Sequence, residues 1–313
     1  MTQARRWVAR DFGGPEVLAE TVVELPAPGP GEVTVEVRAA GMNPADYKHF
    51  GPGQDPKLLP LSIGYEVAGV ILALGPGTEI ASGDGAVGDE VVAFQVLDGY
   101  SSALNAPASD VFAKPSTLSF PEAANLLLVG TTAADTLHVV GLTAGETVLV
   151  HGAAGGVGTS VVQQAGSLGA NVIGTASERD FDAVRSFGAT PVRYGPGLED
   201  RVRKVAPEGV DAAVDTVGVD EAIDVSLALV SDRGRIVSTA AFGRAARDGF
   251  QTVGASNPNS GPFRAGARRA ILDLAEQGKL IVPIAETFAL SDTRRAVAAL
   301  VGAHPHGKLA LVP

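Results

Sequence analysis

A cluster of glycines between two apolar runs constrains the fold of this chain more than any other feature. Residues 147–177 read TVLVHGAAGGVGTSVVQQAGSLGANVIGTAS, which is an apolar run, a glycine cluster, an amphipathic stretch and a second apolar run. This order predicts a buried strand, a tight turn, a helix and a second strand. Glycine lets backbone N–H groups of the turn approach a pyrophosphate, and the helix N-terminus adds its positive dipole end. The stretch therefore predicts a nucleotide-binding βαβ unit.

The glycine spacing in this turn is Gly-x-x-Gly-x-x-Gly rather than the commoner Gly-x-Gly-x-x-Gly, so the pattern alone is weak evidence. A buried strand before it and a helix after it favour phosphate binding over a purely structural turn, which stays the alternative. The candidate cofactor-binding residues of the turn are Gly152, Ala153, Gly155, Gly156, Val157 and Gly158. Helical spacing also predicts an inward stripe at Val157, Val161, Ala165 and Leu168, with Gly169 ending the helix.

The rest of the chain divides into a β-rich part and an alternating part. Residues 1–120 show short strands between glycine and proline turns, whereas residues 121–263 repeat strand and helix in units typical of a doubly wound parallel sheet. Residues 264–313 are predicted to return to the first domain, leaving a cleft between the two. The predicted class is α/β, with a β-rich catalytic domain and a Rossmann nucleotide-binding domain whose ligand lies beyond the strands' carboxyl ends.

Charge and composition exclude several functions. The formal net charge of −11 argues against a nucleic-acid-binding or anionic-membrane surface, and no apolar run reaches the length of a membrane span. We therefore expect no nucleic-acid partner, no membrane partner and a cytoplasmic location. The chain has no cysteine, which removes disulfides, thiolate nucleophiles and thiolate zinc sites. No two of its five histidines have His-x-x-x-His spacing, so no metal site is predicted.

Short motifs along the chain match one family. They are FGGPEVL at 12–18, NPAD at 43–46, GYEVAGV at 64–70, HGAAGGVG at 151–158 and DTVG at 215–218. Together they resemble the quinone oxidoreductase, or zeta-crystallin-like, branch of the medium-chain dehydrogenase/reductase superfamily over nearly the full length. The resemblance implies that the β-rich domain is GroES-like. The family's glycine motif usually opens with alanine where this chain has Gly152.

The resemblance also implies a metal-free reductase. Asn43 and Tyr65 stand where zinc-dependent relatives carry a catalytic cysteine and histidine, and an amide and a phenol do not make a zinc site. The resemblance puts Asn43 and Thr132 near the nicotinamide end of a cofactor. It puts Val217 and Phe242 along the cofactor groove.

Residues 43–48 hold the candidates for acid–base chemistry. Tyr47 could hold or protonate the acceptor oxygen, or it could only pack at the start of a short helix. Asp46 is expected to cap this helix, or to pair with Lys48, rather than to act as an acid.

The predicted function is transfer of hydride from NADPH to a quinone or related conjugated carbonyl compound. A 2-enoyl or enone reductase on the same scaffold, and a non-enzymatic NADPH-binding sensor or structural protein, remain alternatives. The NADPH prediction depends on Ser177 and Arg179, which can bind a 2′-phosphate, and on Tyr194, which the resemblance places beside it. Glu178 is the residue that could favour NADH instead. The β-prone residues 250–256 could form an exposed sheet edge, and with the resemblance they predict a homodimer.

Overall fold

The computed structural model describes residues 2–52, 55–254, 257–302 and 307–313. The strands are β1 (Thr2–Ala9), β2 (Leu18–Leu25), β3 (Glu32–Met42), β4 (Leu61–Ser62), β5 (Glu66–Leu74), β6 (Glu90–Phe94), β7 (Ala103–Pro107), β8 (Val111–Ala113), β9 (Thr147–His151), β10 (Asn171–Ala176), β11 (Thr190–Arg193), β12 (Ala212–Asp215), β13 (Ile236–Ser238), β14 (Gln251–Thr252), β15 (Ile284–Ala289) and β16 (Lys308–Val312). The helices are α1 (Pro44–His49), α2 (Phe120–Ala123), α3 (Leu127–Val139), α4 (Gly156–Ser167), α5 (Phe181–Ser186), α6 (Leu198–Val205), α7 (Asp220–Leu229), α8 (Phe242–Asp248), α9 (Ser260–Glu276) and α10 (Thr293–Val301).

The first unit comprises Met1–Leu128 and Val282–Pro313. Its larger sheet has the order β15-β16-β3-β5-β6-β8, with β7 also paired to β3, and its smaller sheet has the order β2-β1-β4. All pairs in both sheets are antiparallel except β15 with β16. One apolar core joins the inward faces of these strands to α10. Because β16 pairs with β3, the last strand of the chain lies beside Met42 and the start of α1.

The second unit, Val129–Ile281, is a six-stranded parallel sheet of order β11-β10-β9-β12-β13-β14. Alternate residues of β9 enter different cores: Val148 and Val150 pack on one face of the sheet and Leu149 on the other. Apolar residues on both faces are what a sheet covered by helices on both sides requires. The predicted α/β class and doubly wound sheet are confirmed.

Several predicted elements differ in detail. The alternating part opens with two helices, α2 and α3, rather than with a strand, and the short helix α8 follows β13. Leu168, assigned to the inward stripe of α4, is 50% exposed, because α4 ends at Ser167 and Leu168 begins the turn at Gly169. The boundaries between the two observed units lie after Leu128 and after Ile281, whereas the predicted boundaries lie after residues 120 and 263. In particular, α9 packs within the second unit, where the Arg264 guanidinium pairs with Asp135 at 2.8 Å.

In the part of the chain that the structure describes, no helix combines the length and apolar character needed to cross a bilayer.

Candidate functional site

The predicted cofactor residues of the second unit share one edge of its sheet. Five neighbouring strands, β11, β10, β9, β12 and β13, are parallel, so their carboxyl ends lie at the same edge. Directly after these ends come Tyr194, Ser177 with Arg179, residues 152–158, Val217 and Phe242, in that order across the sheet. This edge is where open parallel sheets bind their ligands. Thr132 is the exception, because it lies buried in α3.

The turn after β9 depends on two glycines that contact each other. Gly152 has φ +77°, in the left-handed region, and a Cβ there would lie 2.7 Å from side-chain atoms of Thr216 and Val217. A Cβ on Gly158 would lie 2.0 Å from the carbonyl oxygen of Gly152. No side chain fits at such a distance, so the first turn of α4 can pack on the loop only if residue 158 is glycine. The mutual approach supports the prediction that both glycines shape this turn.

The start of α4 presents unpartnered backbone donors. The amide of Ala153 donates to the Thr175 carbonyl at 3.0 Å and that of Gly155 to the Gly152 carbonyl at 2.9 Å. The amides of Gly156, Val157 and Gly158 have no acceptor in the described part of the chain, as the geometry of a helix N-terminus requires. Three adjacent N–H groups at the positive end of a helix dipole form an anion-binding site. The turn therefore fits a dinucleotide pyrophosphate.

Asp215, at the end of β12, holds the neighbouring loop, and sequence reasoning did not select it. It is fully buried, and its Oδ1 accepts hydrogen bonds from the amides of Val217 and Gly218, both at 3.0 Å. The hydroxyl of Ser238, from β13, donates to Asp215 Oδ2. These bonds fix the backbone that presents Val217, whose side chain is 48% exposed. The DTVG motif was the signal that could have identified this residue.

His151 lies beneath the same turn and is buried. Burial lowers the pKa of His151 to about 4, against a smaller opposing effect from Asp215, so the ring is neutral at pH 7. Its Nε2 lies 3.0 Å from the Ser226 hydroxyl. The histidine of the HGAAGGVG motif is therefore a buried neutral group under the turn.

The end of β10 is more crowded than the sequence predicts. The Ser177 hydroxyl donates to Asp180, and Arg179 Nε lies 3.9 Å from an oxygen of the same carboxylate. The Arg179 side chain is 72% exposed, so its guanidinium can reach a ligand. Arg193, which sequence reasoning missed, pairs in register with Ala176 on β10, and its guanidinium lies 3.5 Å from Glu178. Two guanidinium groups therefore flank this strand end, and Glu178 is engaged by one of them.

Two of the predicted cofactor residues are aromatic: Tyr194, predicted beside the 2′-phosphate, and Phe242, predicted along the cofactor groove. Tyr194 follows β11 and is 54% exposed, and Phe242 opens α8 and is 44% exposed. Exposed aromatic side chains beside a polar turn suit contact with the flat rings of a nucleotide.

In the first unit, Asn43 is completely buried. Its Nδ2 donates to Glu66 Oε1 at 2.8 Å, and the Lys308 ammonium donates to its Oδ1. The cap of α1 comes instead from Asp46, whose Oδ2 accepts from the Asn43 amide at 2.7 Å. The expectation that Asp46 caps this helix agrees with the structure, whereas the Asn43 side chain points into the protein. Asn43 therefore offers no surface to a ligand in this arrangement.

Tyr47 is half-buried on α1, where its ring meets Phe50 edge-on with centroids 5.5 Å apart. It packs against the core of the first unit, which agrees with the packing alternative.

Two matches to family models agree with the two units. Residues 29–115 match the alcohol dehydrogenase GroES-like domain, and residues 156–257 match the zinc-binding dehydrogenase model. The solved quinone oxidoreductase of Pseudomonas syringae pv. tomato is similar to nearly the whole chain, with a TM-score of 0.83 and 31% identity over 99% of this chain and 100% of that one. This chain belongs to the quinone oxidoreductase branch of the medium-chain dehydrogenase/reductase superfamily.

Other proteins similar to this chain carry several different names. A solved NAD-dependent alcohol dehydrogenase has a TM-score of 0.86 at 28% identity over 99% of both chains. The synaptic vesicle membrane protein VAT-1 homolog of Mus musculus is 34% identical over 204 residues, which are 62% of this chain and 48% of that protein. The chain thus spans about half the length of such curated relatives. Further relatives are named quinone oxidoreductase, and one solved neighbour was complexed with NADPH.

The family model that matches residues 156–257 is described as a zinc-binding dehydrogenase. The two residues of this chain that stand at the expected zinc-ligand positions, Asn43 and Tyr65, do not fit a zinc ion. Asn43 is engaged by Glu66 and by the Lys308 ammonium, and a cation next to its Oδ1 opposes a divalent metal. Tyr65 places its ring 5.8 Å from that of His49, and its phenol is a poor zinc ligand. Within the described residues, no three His, Asp or Glu side chains are grouped to hold a metal ion.

Proposed function

We propose that this chain is an NADPH-dependent reductase that delivers hydride to a quinone or a related conjugated carbonyl compound without zinc. The observation that carries the proposal is the common edge of the parallel sheet, where five neighbouring strands end beside the predicted cofactor residues of the second unit other than Thr132. When bound, reduced nicotinamide supplies the hydride, so the protein needs only to bind and orient.

Binding and orientation of the cofactor and the acceptor would be shared among several residues of this chain. The free amides at the start of α4 would hold the pyrophosphate, and Arg179, with Arg193 beside it, would hold a 2′-phosphate. Asp215 would keep the Val217 loop in place. Tyr47 would donate a hydrogen bond or a proton to the acceptor oxygen, because a phenol O–H is a hydrogen-bond donor. Asn43 would position the start of α1 rather than touch the ligand.

The test is a steady-state screen with NADPH and NADH against 1,4-benzoquinone, 1,2-naphthoquinone, a short enone and an enoyl thioester. We expect turnover of at least one quinone, with kcat/KM for NADPH at least about tenfold above that for NADH, which corresponds to ~1.4 kcal/mol of phosphate contacts. Turnover of the enone or thioester with every quinone inactive would support the enone reductase alternative. Cofactor binding without turnover of any acceptor would support a non-enzymatic protein.

A further inference from the structure

A closed group of ionisable side chains in the first unit has charges that do not balance. Asp46, Glu66 and Lys308 are 1%, 1% and 7% exposed. The hydroxyl of the buried Tyr100 donates a hydrogen bond to Asp46. If all of them carried their usual charges, two carboxylates would face a single ammonium out of contact with water. An unbalanced buried charge is strongly unfavourable, so a group in this position instead changes its protonation state.

Hydrogen bonds show which carboxyl group is neutral. Glu66 accepts on both oxygens, from Asn43 Nδ2 at 2.8 Å and from the Leu128 amide at 2.9 Å, as a carboxylate does. Asp46 accepts twice on Oδ2, from the Asn43 amide at 2.7 Å and the Tyr100 hydroxyl at 3.0 Å. Its Oδ1 is buried and has no hydrogen-bond partner. A proton belongs on that oxygen, because a bare carboxylate oxygen there would be both charged and unpaired.

Lys308 does not contact Asp46 by a hydrogen bond. Its ammonium donates to the Met42 carbonyl at 2.7 Å and to Asn43 Oδ1, and so it holds the end of β3 and the side chain that opens α1. A charged Asp46 would compete with Glu66 for this single ammonium. Any shift of Lys308 toward Asp46 would release Asn43.

We propose that Asp46 is a protonated, neutral positioning residue, and that its ionisation as the pH rises displaces Lys308 and Asn43 and lowers the activity. The effect on activity rests on the proposed function, whereas the protonation of Asp46 does not.

Burial raises the pKa of Asp46 to about 7, with a smaller contribution in the same direction from Glu66, against lowering by the Asn43 amide, Tyr100 and Lys308. Burial also raises the pKa of Glu66 and lowers that of Lys308, so the hydrogen bonds, and not the pKa directions, distinguish Asp46 from Glu66. Burial, and then the charge of Asp46, raise the pKa of both Tyr65 and Tyr100. Both phenols therefore stay neutral while Asp46 titrates.

The sign of the effect on stability follows from the raised pKa. Asp46 has an ordinary pKa of 3.8 when unfolded and about 7 when folded, so between these values the folded state holds a proton that the unfolded state has released. Folding is then disfavoured progressively as the pH rises from about 4 to about 7, and the loss is complete above that range.

The decisive variant is Asp46→Asn, because an amide has the shape of the neutral acid and cannot ionise. Its oxygen can accept from the Asn43 amide and from Tyr100 as Asp46 Oδ2 does. Glu122→Gln is the matched control, because the Glu122 carboxylate accepts from the Ser119 amide at 2.8 Å in the same capping position of α2, but in contact with solvent.

We expect the wild type to lose kcat/KM by about tenfold per pH unit above a break near pH 7, and Asp46→Asn to show no such break. The melting temperature of Asp46→Asn should exceed that of the wild type by more at pH 8 than at pH 5. Glu122→Gln should follow the wild type in both measurements.

Two further readouts keep the test informative if Asp46→Asn fails to fold or no acceptor is found. Infrared spectra of the wild type at pH 6 should show a protonated carboxyl band that disappears by pH 9. Tyr100→Phe removes a hydrogen bond that favours the charged form of Asp46, so it should move the break to higher pH. A wild type without the infrared band, or an Asp46→Asn variant whose stability changes with pH in parallel with the wild type, would overturn the proposal.

Discussion

At the scale of single residues, cofactor choice depends on the guanidinium groups at the end of β10. Arg179 is exposed, while Glu178 is paired with Arg193. We expect Arg179→Ala to raise the KM for NADPH by about tenfold and to leave the KM for NADH nearly unchanged, because only NADPH carries the 2′-phosphate. Arg193→Ala should act in the same direction and also free Glu178, which favours NADH.

Arg185→Ala is the control for these variants. Its guanidinium lies on the same segment, in α5, and pairs with Asp182 at 2.8 Å on the surface. The Arg185→Ala variant should change neither the KM for NADPH nor the KM for NADH. Equal effects of Arg179→Ala on both cofactors, or a wild-type preference for NADH, would show that the phosphate does not bind at this strand end.

Local sequence pattern is enough to select residues at this edge of the parallel sheet, but not the buried residues around Asp46. Ser177 and Arg179 follow a recognisable strand, so local pattern is enough to select them. Arg193 is selected only by its register opposite Ala176, which local pattern does not contain. The same holds for the contact of Lys308 with Asn43, which lie 265 positions apart in the chain. Lys308 reaches Asn43 because β16 pairs with β3, and the distance between the two residues in the sequence does not predict this pairing.

At the scale of elements, α4 offers a comparison between two of its own glycines. A Cβ at Gly158 would meet the Gly152 carbonyl oxygen at 2.0 Å, whereas a Cβ at Gly166 would meet nothing within 4 Å. We expect Gly158→Ala to lower the stability by about 1–3 kcal/mol and to weaken NADPH binding at least tenfold, because the turn must open to admit the methyl group.

Gly166→Ala should instead raise the stability by about 0.5–1 kcal/mol and leave NADPH binding unchanged, since alanine restricts the unfolded chain and suits a helix. Thermal unfolding and fluorescence titration with NADPH measure both variants. If the two substitutions had the same effect on binding, the close approach of α4 to its turn would not matter for the cofactor.

Short elements are the hardest to predict from the sequence of this chain. Strands β7 and β8 have five and three residues, and α8 has seven, so each is too short to show a clear period. Residues 124–126 separate α2 from α3, and no glycine or proline at these positions marks the break in the sequence. It follows the packing of Asn125, whose Nδ2 donates to the Leu309 carbonyl at 3.1 Å.

At the scale of the whole molecule, the predicted homodimer can be tested at β14. This strand lies at one end of the six-stranded sheet, and Gln251 is exposed there, while Ala255 and Ser256 of the predicted edge lie outside the described residues. We expect a dimeric mass by light scattering at micromolar concentration. Gln251→Lys should shift it toward the monomer, because two copies of one edge would bring like charges together.

Gln277→Lys, an exposed substitution just after α9, adds the same charge away from this edge and should keep the dimer. A monomeric mass for the wild type would contradict the prediction, and equal dissociation by both variants would locate the contact elsewhere.

The first unit is built from two parts of the chain, and this determines the order in which the units are completed during synthesis. A ribosome synthesises all of Val129–Ile281 before it makes β16, so every residue of the second unit exists while the first still lacks a strand. Until Lys308 emerges, the Glu66 carboxylate has no buried ammonium beside it, and Asn43 lacks one of its two side-chain partners. A strand made after the whole second unit therefore completes the charge pairing around α1.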